Sequence, residues 1–173
     1  QNYFRQFEPR TPARCYVSGE THLYLGKRYR LKIKKAHLND VKMTRGCLEV
    51  HVEGTLSSQK CKNLMDKWYA GKTVEKCGES FKRCLARFKK FPMPQPRLQI
   101  KRLKKRWGSL SVRGTLTLNK DLIRAPKECI DYVVTHELCH LLHKDHDARF
   151  YRLLERVMPD WERRKQKLEQ FLS

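Results

Sequence analysis

The sequence predicts a single α+β domain. Residues 21–53 and 97–119 alternate between apolar and polar side chains, which is the period of two typical of β-strands. Residues 57–90 and 126–172 instead place apolar side chains three and four positions apart, as an amphipathic helix does. At 173 residues, the chain is long enough for one domain with a real hydrophobic core and too short for two of ordinary size.

The first sixteen residues contain two prolines and no periodic pattern, so we expect residues 1–16 to be a tail ahead of a domain spanning 17–173. They show no export signal, and no segment approaches the roughly 18 apolar residues of a membrane span. The seven cysteines are odd in number, irregularly spaced and without a Cys-x-x-Cys pair. These features favour free thiols in a cytoplasmic, reducing setting, with no membrane partner.

The strand region, residues 17–56, divides at two glycines. Tyr29, Leu31 and Ile33 alternate after a predicted turn at Gly26, and a second pair of strands is centred on Gly46. Short strands joined by glycine turns predict a small antiparallel meander.

The helical region, residues 57–90, carries two apolar faces and contains Gly71 and Gly78 as candidate breaks. Three prolines in residues 91–96 exclude helix and predict a stiff connector. The third part, residues 98–173, begins with strands that turn at Arg113–Gly114. Charges crowd the first of these strands, which is typical of an edge strand. Three helices are then expected, the first from Pro126, the second from about Asp147 to Met158 and the third from Pro159.

The net charge of +21 is unevenly distributed, because Ser80–Lys120 contains thirteen lysines and arginines and no acidic residue. Such a patch suggests a polyanionic partner, either DNA or RNA or an acidic protein, although a solvated basic face is the simpler alternative. We predict nucleic-acid contact through five cations of this patch: Lys101, Arg102, Lys104, Lys105 and Arg106.

The pattern His136-Glu137-x-x-His140 carries the clearest chemistry. Residues four apart lie on one face of a helix, so two imidazoles converge on one metal ion. Glu137 is about 100° round the helix, where it reaches a water beside the metal and serves as the base. The pattern predicts a Zn²⁺ site for hydrolysis.

Two further histidines compete for the third ligand position. His143 shares the face of His136 and His140, but three positions along one straight helix span about 10 Å and form a row. A ligand from beyond the helix end closes a tetrahedron better, and Asp145 or Asp147 would cap the helix that follows. We therefore favour His146.

Several motifs together resemble the YgjP-like metallopeptidase family, which is related to the WLM and SprT-like zinc proteases. They are Arg106–Ser109, Leu118–Asn119, the His136–His140 segment, His146–Phe150 and Pro159–Trp161. Relatives often have a cysteine where this chain has Leu110. The resemblance implies a minimal zincin-like domain, with antiparallel strands flanking the active-site helix and an edge strand that receives an extended peptide. It also implies that His146 is the third ligand.

The leading interpretation is therefore a zinc metallopeptidase with a protein or peptide substrate, acting near nucleic acid. One alternative is a nucleic-acid-binding module with a structural zinc site, although a closed four-ligand site needs no base such as Glu137. A second alternative is a zinc hydrolase of non-peptide amides.

Overall fold

The computed structural model describes residues 14–172. Most of the predicted tail, residues 1–13, lies outside the described residues, so the tail and the single domain over 17–173 remain a prediction. The described chain mixes seven strands with four α-helices, and the α+β prediction is confirmed. In chain order they are β1 (Thr21–Tyr24), β2 (Lys27–Ala36), β3 (Asp40–Thr44), β4 (Cys47–Glu53), α1 (Ser58–Leu85), β5 (Arg97–Lys101), β6 (Gly108–Leu110), β7 (Thr115–Asn119), α2 (Lys127–Cys139), α3 (Ala148–Val157) and α4 (Trp161–Leu172).

The first sheet has the strand order β1-β2-β4-β3, with β2 and β4 parallel and the other two pairs antiparallel. The prediction of a wholly antiparallel meander is therefore wrong. The hairpin of β3 and β4 folds so that β4 lies inside the sheet, where Leu48, Val50 and Val52 are all fully buried. Met43 of β3 is 48% exposed, and a strand with such a side chain belongs at the edge.

Helix α1 follows this sheet and reaches both hydrophobic cores. Ser57 caps its start by accepting a hydrogen bond from the backbone N–H of Lys60. Cys61 and Met65 pack on the first sheet, whereas Cys77 and Cys84 belong to the larger core around α2. The helix continues through Gly71 and Gly78 without a break, because tertiary packing outweighs the modest cost of glycine in a helix.

The second sheet has the order β5-β7-β6, with β5 parallel and β6 antiparallel to β7. Like the first, it is mixed and not wholly antiparallel, because the β6–β7 hairpin places β7 in the middle. The predicted turn is confirmed, and Gly114 there has a φ of +74°. The charged strand β5 is an edge strand, as predicted. The two buried leucines of β7, Leu116 and Leu118, face the core around α2.

The three C-terminal helices pack around one another. Asp131 of α2 links α2 and α4 to α1, because its buried carboxylate accepts hydrogen bonds from Ser80 and Arg83 and lies 3.8 Å from a nitrogen of Arg164. Asp147 caps α3, as expected for one of the two aspartates considered. Within residues 14–172, no helix is both long and apolar enough to cross a bilayer.

Candidate metal centre and active site

Helix α2 is the buried centre of the molecule. Every residue from Cys129 to Cys139 is buried, including polar side chains such as His136, which is 1% exposed. Because α2 is apolar on most sides, other elements pack against it on most sides. These are the second sheet, α1, α3 and α4. The two histidines and the glutamate of the motif therefore lie on a rigid element.

His136, His140 and His146 lie together, with ligand nitrogens that are all within 4.8 Å of one another. The Nε2 atoms of His136 and His146 are 3.0 Å apart. Nitrogens that share a tetrahedral zinc ion at ordinary bond lengths are separated by about 3.3 Å. Three imidazoles at this spacing fit a zinc-like ion, and they are a donor set that zinc favours.

The chain reverses just after α2, and this turn brings His146 back to the helix. His140 ends the helix, and its Nδ1 hydrogen bonds the carbonyl oxygen of His143 at 3.1 Å. If Nδ1 is the donor, Nε2 of His140 carries the lone pair that faces the cluster. His143 thus contributes its main chain, and its ring is not part of the histidine cluster found among residues 14–172.

Phe150 forms the floor of the cluster, which the sequence interpretation did not anticipate. Its ring centroid lies 4.7–5.0 Å from the centroids of His136, His140 and His146. Asp147 accepts hydrogen bonds at 2.9 Å from the N–H groups of Arg149 and Phe150, which fixes the start of α3 and hence this ring. A phenylalanine four positions after His146 is the signal that could have revealed it.

Burial keeps the three imidazoles neutral. The pKa of His136 lies well below its ordinary value because the side chain is desolvated and because His140 and His146 are close. Burial also lowers the pKa values of His140 and His146. Neutral imidazole is the form that binds metal ions, so the cluster is ready for a ligand role near neutral pH.

Glu137 is 5% exposed and lies next to β6. Burial raises its pKa to about 7, against a smaller opposing effect of the Arg106 charge. A Cβ added to Gly108 would lie only 2.8 Å from Cγ of Glu137, so only glycine allows the strand this close. Gly108 belongs to the Arg106–Ser109 motif, but the motif did not predict this contact.

Among the described residues, no strand pairs with the outer edge of β6, which lies beside Glu137. Two backbone hydrogen bonds lie just beyond the two ends of the paired residues of β6 and β7. The N–H of Asn119 donates to the carbonyl oxygen of Trp107, and the N–H of Ser111 donates to the carbonyl oxygen of Thr115. Because bonded and non-bonded residues alternate in an antiparallel pair, Gly108 and Leu110 direct their N–H and C=O groups away from β7. These groups are suited to pair with an extended peptide.

Asn119 holds the segment that leads into β6. Its side-chain Nδ2 donates to the carbonyl oxygens of Leu103 and Arg106 at 2.8 and 3.0 Å, and its backbone N–H donates to Trp107 at 2.8 Å. The five predicted nucleic-acid contacts, Lys101, Arg102, Lys104, Lys105 and Arg106, are all exposed on or beside this segment.

Comparison with known proteins agrees with this geometry. The model of the YgjP-like metallopeptidase domain matches residues 1–171. The chain belongs to the YgjP-like metallopeptidase family. No curated protein matches it significantly.

Two solved structures are similar to part of this YgjP-like protein. The metallopeptidase zymogen abylysin of Pyrococcus abyssi is 26% identical, with 54% of this chain and 90% of that chain covered and a TM-score of 0.47. The metallopeptidase zymogen jannalysin of Methanocaldococcus jannaschii is 23% identical, with coverage of 56% and 90% and a TM-score of 0.49.

Proposed function

We propose that this YgjP-like protein is a zinc-dependent metallopeptidase in which His136, His140 and His146 hold the ion and Glu137 is the general base. One observation carries the proposal: three neutral imidazoles lie within 4.8 Å of one another, and a buried carboxylate follows the first of them in sequence. A closed structural site would use a fourth protein ligand, and the cluster found in residues 14–171 has three.

The bound ion would polarise the peptide carbonyl and make water more acidic, as zinc does in hydrolases. Glu137 would accept the proton that the attacking water loses. It would then deliver that proton to the nitrogen of the departing amine. Its position supports this role, because the carboxylate is buried on the same helix as His136 and follows it directly in the chain.

The open edge of β6 supports a peptide substrate over a small amide. A peptide in extended form would pair with the outward N–H and C=O groups of Gly108 and Leu110 and so pass alongside Glu137. Backbone pairing of this kind holds many sequences in one orientation. A small amide has too few main-chain groups to use this edge.

Nucleic-acid contact at Lys101, Arg102, Lys104, Lys105 and Arg106 remains a separate prediction, which rests on charge and exposure alone. Its test is salt-dependent binding of DNA or RNA that is lost when the five are neutralised. The cytoplasmic setting also remains a prediction, supported by seven cysteines, all within residues 14–172, that form no disulfide with one another.

The proposed activity is tested with the purified full chain. We expect zinc in about equimolar amount, cleavage of a protein substrate that a chelator abolishes, and recovery on adding zinc. Glu137→Gln is the matched variant, because it keeps the shape of the side chain and removes the base. It should retain zinc and lose at least about 1,000-fold in kcat. A Glu137→Gln protein as active as its parent would exclude the mechanism, and one without zinc would make Glu137 a ligand.

A further inference from the structure

The segment Lys101–Arg106, here called the basic loop, carries uncompensated charge. Its five cations are exposed, and none of them has a carboxylate within 4 Å among residues 14–171. Some cations elsewhere on the surface are paired, for example Lys62 with Asp66 at 2.6 Å and Lys76 with Glu79 at 2.8 Å. The basic loop therefore leaves its positive charge available to a partner.

The loop is held in one shape although its side chains are exposed. Asn119 is 5% exposed and fixes the carbonyl groups of Leu103 and Arg106, which flank Lys104 and Lys105 on the chain. A fixed backbone lowers the entropy that is lost when a ligand binds. This arrangement suits recognition better than a loose basic segment would.

The basic loop also lies next to the reactive centre. Arg106 precedes Gly108 by two residues, which corresponds to about 7 Å in an extended chain. Gly108 contacts Glu137, and the charge of Arg106 acts on that carboxylate. A peptide paired with β6 would pass this loop at the start of the strand.

We propose that the basic loop is a specificity subsite that selects substrates with acidic side chains next to the scissile bond. The inference rests on the proposed peptidase function. Lysine and arginine side chains on the loop would pair with aspartate or glutamate of the bound peptide, and each exposed pair would contribute modestly. The preference for acidic peptides would weaken as the salt concentration rises, because salt screens exposed charges.

An acidic peptide suits this position better than a nucleic acid does. A nucleic acid on the loop would lie across the start of β6 and compete with the peptide for the open edge. Proteins that bind single-stranded nucleic acids commonly also stack bases on aromatic side chains. Residues 101–106 contain no aromatic residue, and the adjacent Trp107 is buried at 9% exposure.

The test compares two peptides that differ only by glutamate or glutamine at positions flanking one cleavage site. The loop variant is Arg102→Gln/Lys104→Gln/Lys105→Gln, which leaves Arg106 beside Glu137 unchanged. The matched control is Arg28→Gln/Arg30→Gln/Lys32→Gln, which removes the same charge from exposed positions of β2. Zinc-loaded full-length proteins are assayed at low and high salt.

We expect the parent and the control to cleave the glutamate peptide with a kcat/KM about tenfold higher than the glutamine peptide. The loop variant, and the parent at high salt, should show a ratio near one. Equal cleavage of both peptides by the parent would overturn the inference while the peptidase function stands. An unchanged ratio in the loop variant would also overturn it.

Binding separates this inference from a failure of the peptidase function. Fluorescence anisotropy with labelled peptides and the Glu137→Gln protein measures recognition without cleavage. Tighter binding of the glutamate peptide, lost in the loop variant, supports the subsite even if the parent cleaves neither peptide. Equal binding of both peptides, with an oligonucleotide bound through the loop instead, would assign the loop to nucleic acid and overturn the inference.

Discussion

Gly108 and Glu137 are packed so closely that position 108 has no room for a side chain. A Cβ there would lie 2.8 Å from Cγ and 3.0 Å from Oε1 of Glu137, and 2.9 Å from Cγ1 of Val133. Strand β6 and Glu137, the proposed general base, therefore approach this closely only because residue 108 has no Cβ.

Gly108→Ala should displace Glu137 and lower kcat/KM by about 100-fold, because misplacing a catalytic group by about 1 Å has an effect of this size. Zinc content should stay unchanged, since the three histidines are not touched. Gly71→Ala is the control, because an added Cβ there meets nothing within 4 Å and alanine favours a helix. Full activity of Gly108→Ala would show that the carboxylate position is unimportant.

His146→Ala should raise the Kd for zinc by more than about 100-fold, beyond the range for groups outside the ligand set. His143→Ala should change it little, because His143 meets the cluster through its backbone carbonyl. Zinc bound after dialysis against a weak chelator measures both variants. The reverse result would make His143 the ligand.

The buried Glu137 should make the metal-free protein less stable as pH rises. Its folded pKa of about 7 exceeds the ordinary 4.5, so between these values the folded state retains a proton that the unfolded state has lost. The loss in the free energy of unfolding is absent below pH 4.5 and reaches about 3 kcal/mol above pH 7. Glu137→Gln should therefore raise the Tm by about 5–10 °C at pH 8 and little at pH 4.5. Thermal scans in a chelator measure this difference, and a pH-independent gap would contradict it.

Leu110→Pro should weaken peptide cleavage about tenfold while leaving the fold intact, because the N–H that it removes points to the open edge. Ser109→Pro is the matched control. That change removes a bond of the β6–β7 ladder and should lower the Tm. If Leu110→Pro cleaves as well as the parent, the peptide does not use this edge.

Asp131→Ala should destabilise the protein by about 3–5 kcal/mol, since it leaves the partly buried Arg83 and Arg164 without their shared carboxylate. Asp66→Ala removes only an exposed pair with Lys62 and should cost less than about 1 kcal/mol. Urea unfolding of the metal-free proteins measures both. Equal effects would mean that the buried network adds nothing.

Local sequence rules predicted much of this molecule. The helix spacing of His136 and His140, the turn before Asp147 and the charged edge strand β5 all depend on neighbouring residues. The return of His146 could be anticipated because a row of three ligands on one helix cannot form a tetrahedron.

Contacts between distant residues could not be predicted in this way. The position of β4 beside β2 depends on which strand of the hairpin has more apolar surface to bury. The alternation of apolar and polar residues along a strand does not show which strand it pairs with. Gly108 against Glu137 and Asn119 against Leu103 join residues that only the folded chain brings together. Phe150 entered the sequence analysis only as the end of the His146–Phe150 motif, with no indication that its ring would contact three imidazoles.

Helix α1 has a consequence for any attempt to shorten the protein. At 28 residues it is about 42 Å long, and its two halves line different cores. Removing β1–β4 would uncover Met65, Cys61 and Trp68 on half of a helix whose other half still supports α2. A chain shortened to the metal-binding part would expose this apolar surface to solvent and associate through it. A workable minimal peptidase would need polar replacements along that half, or a new cover for it.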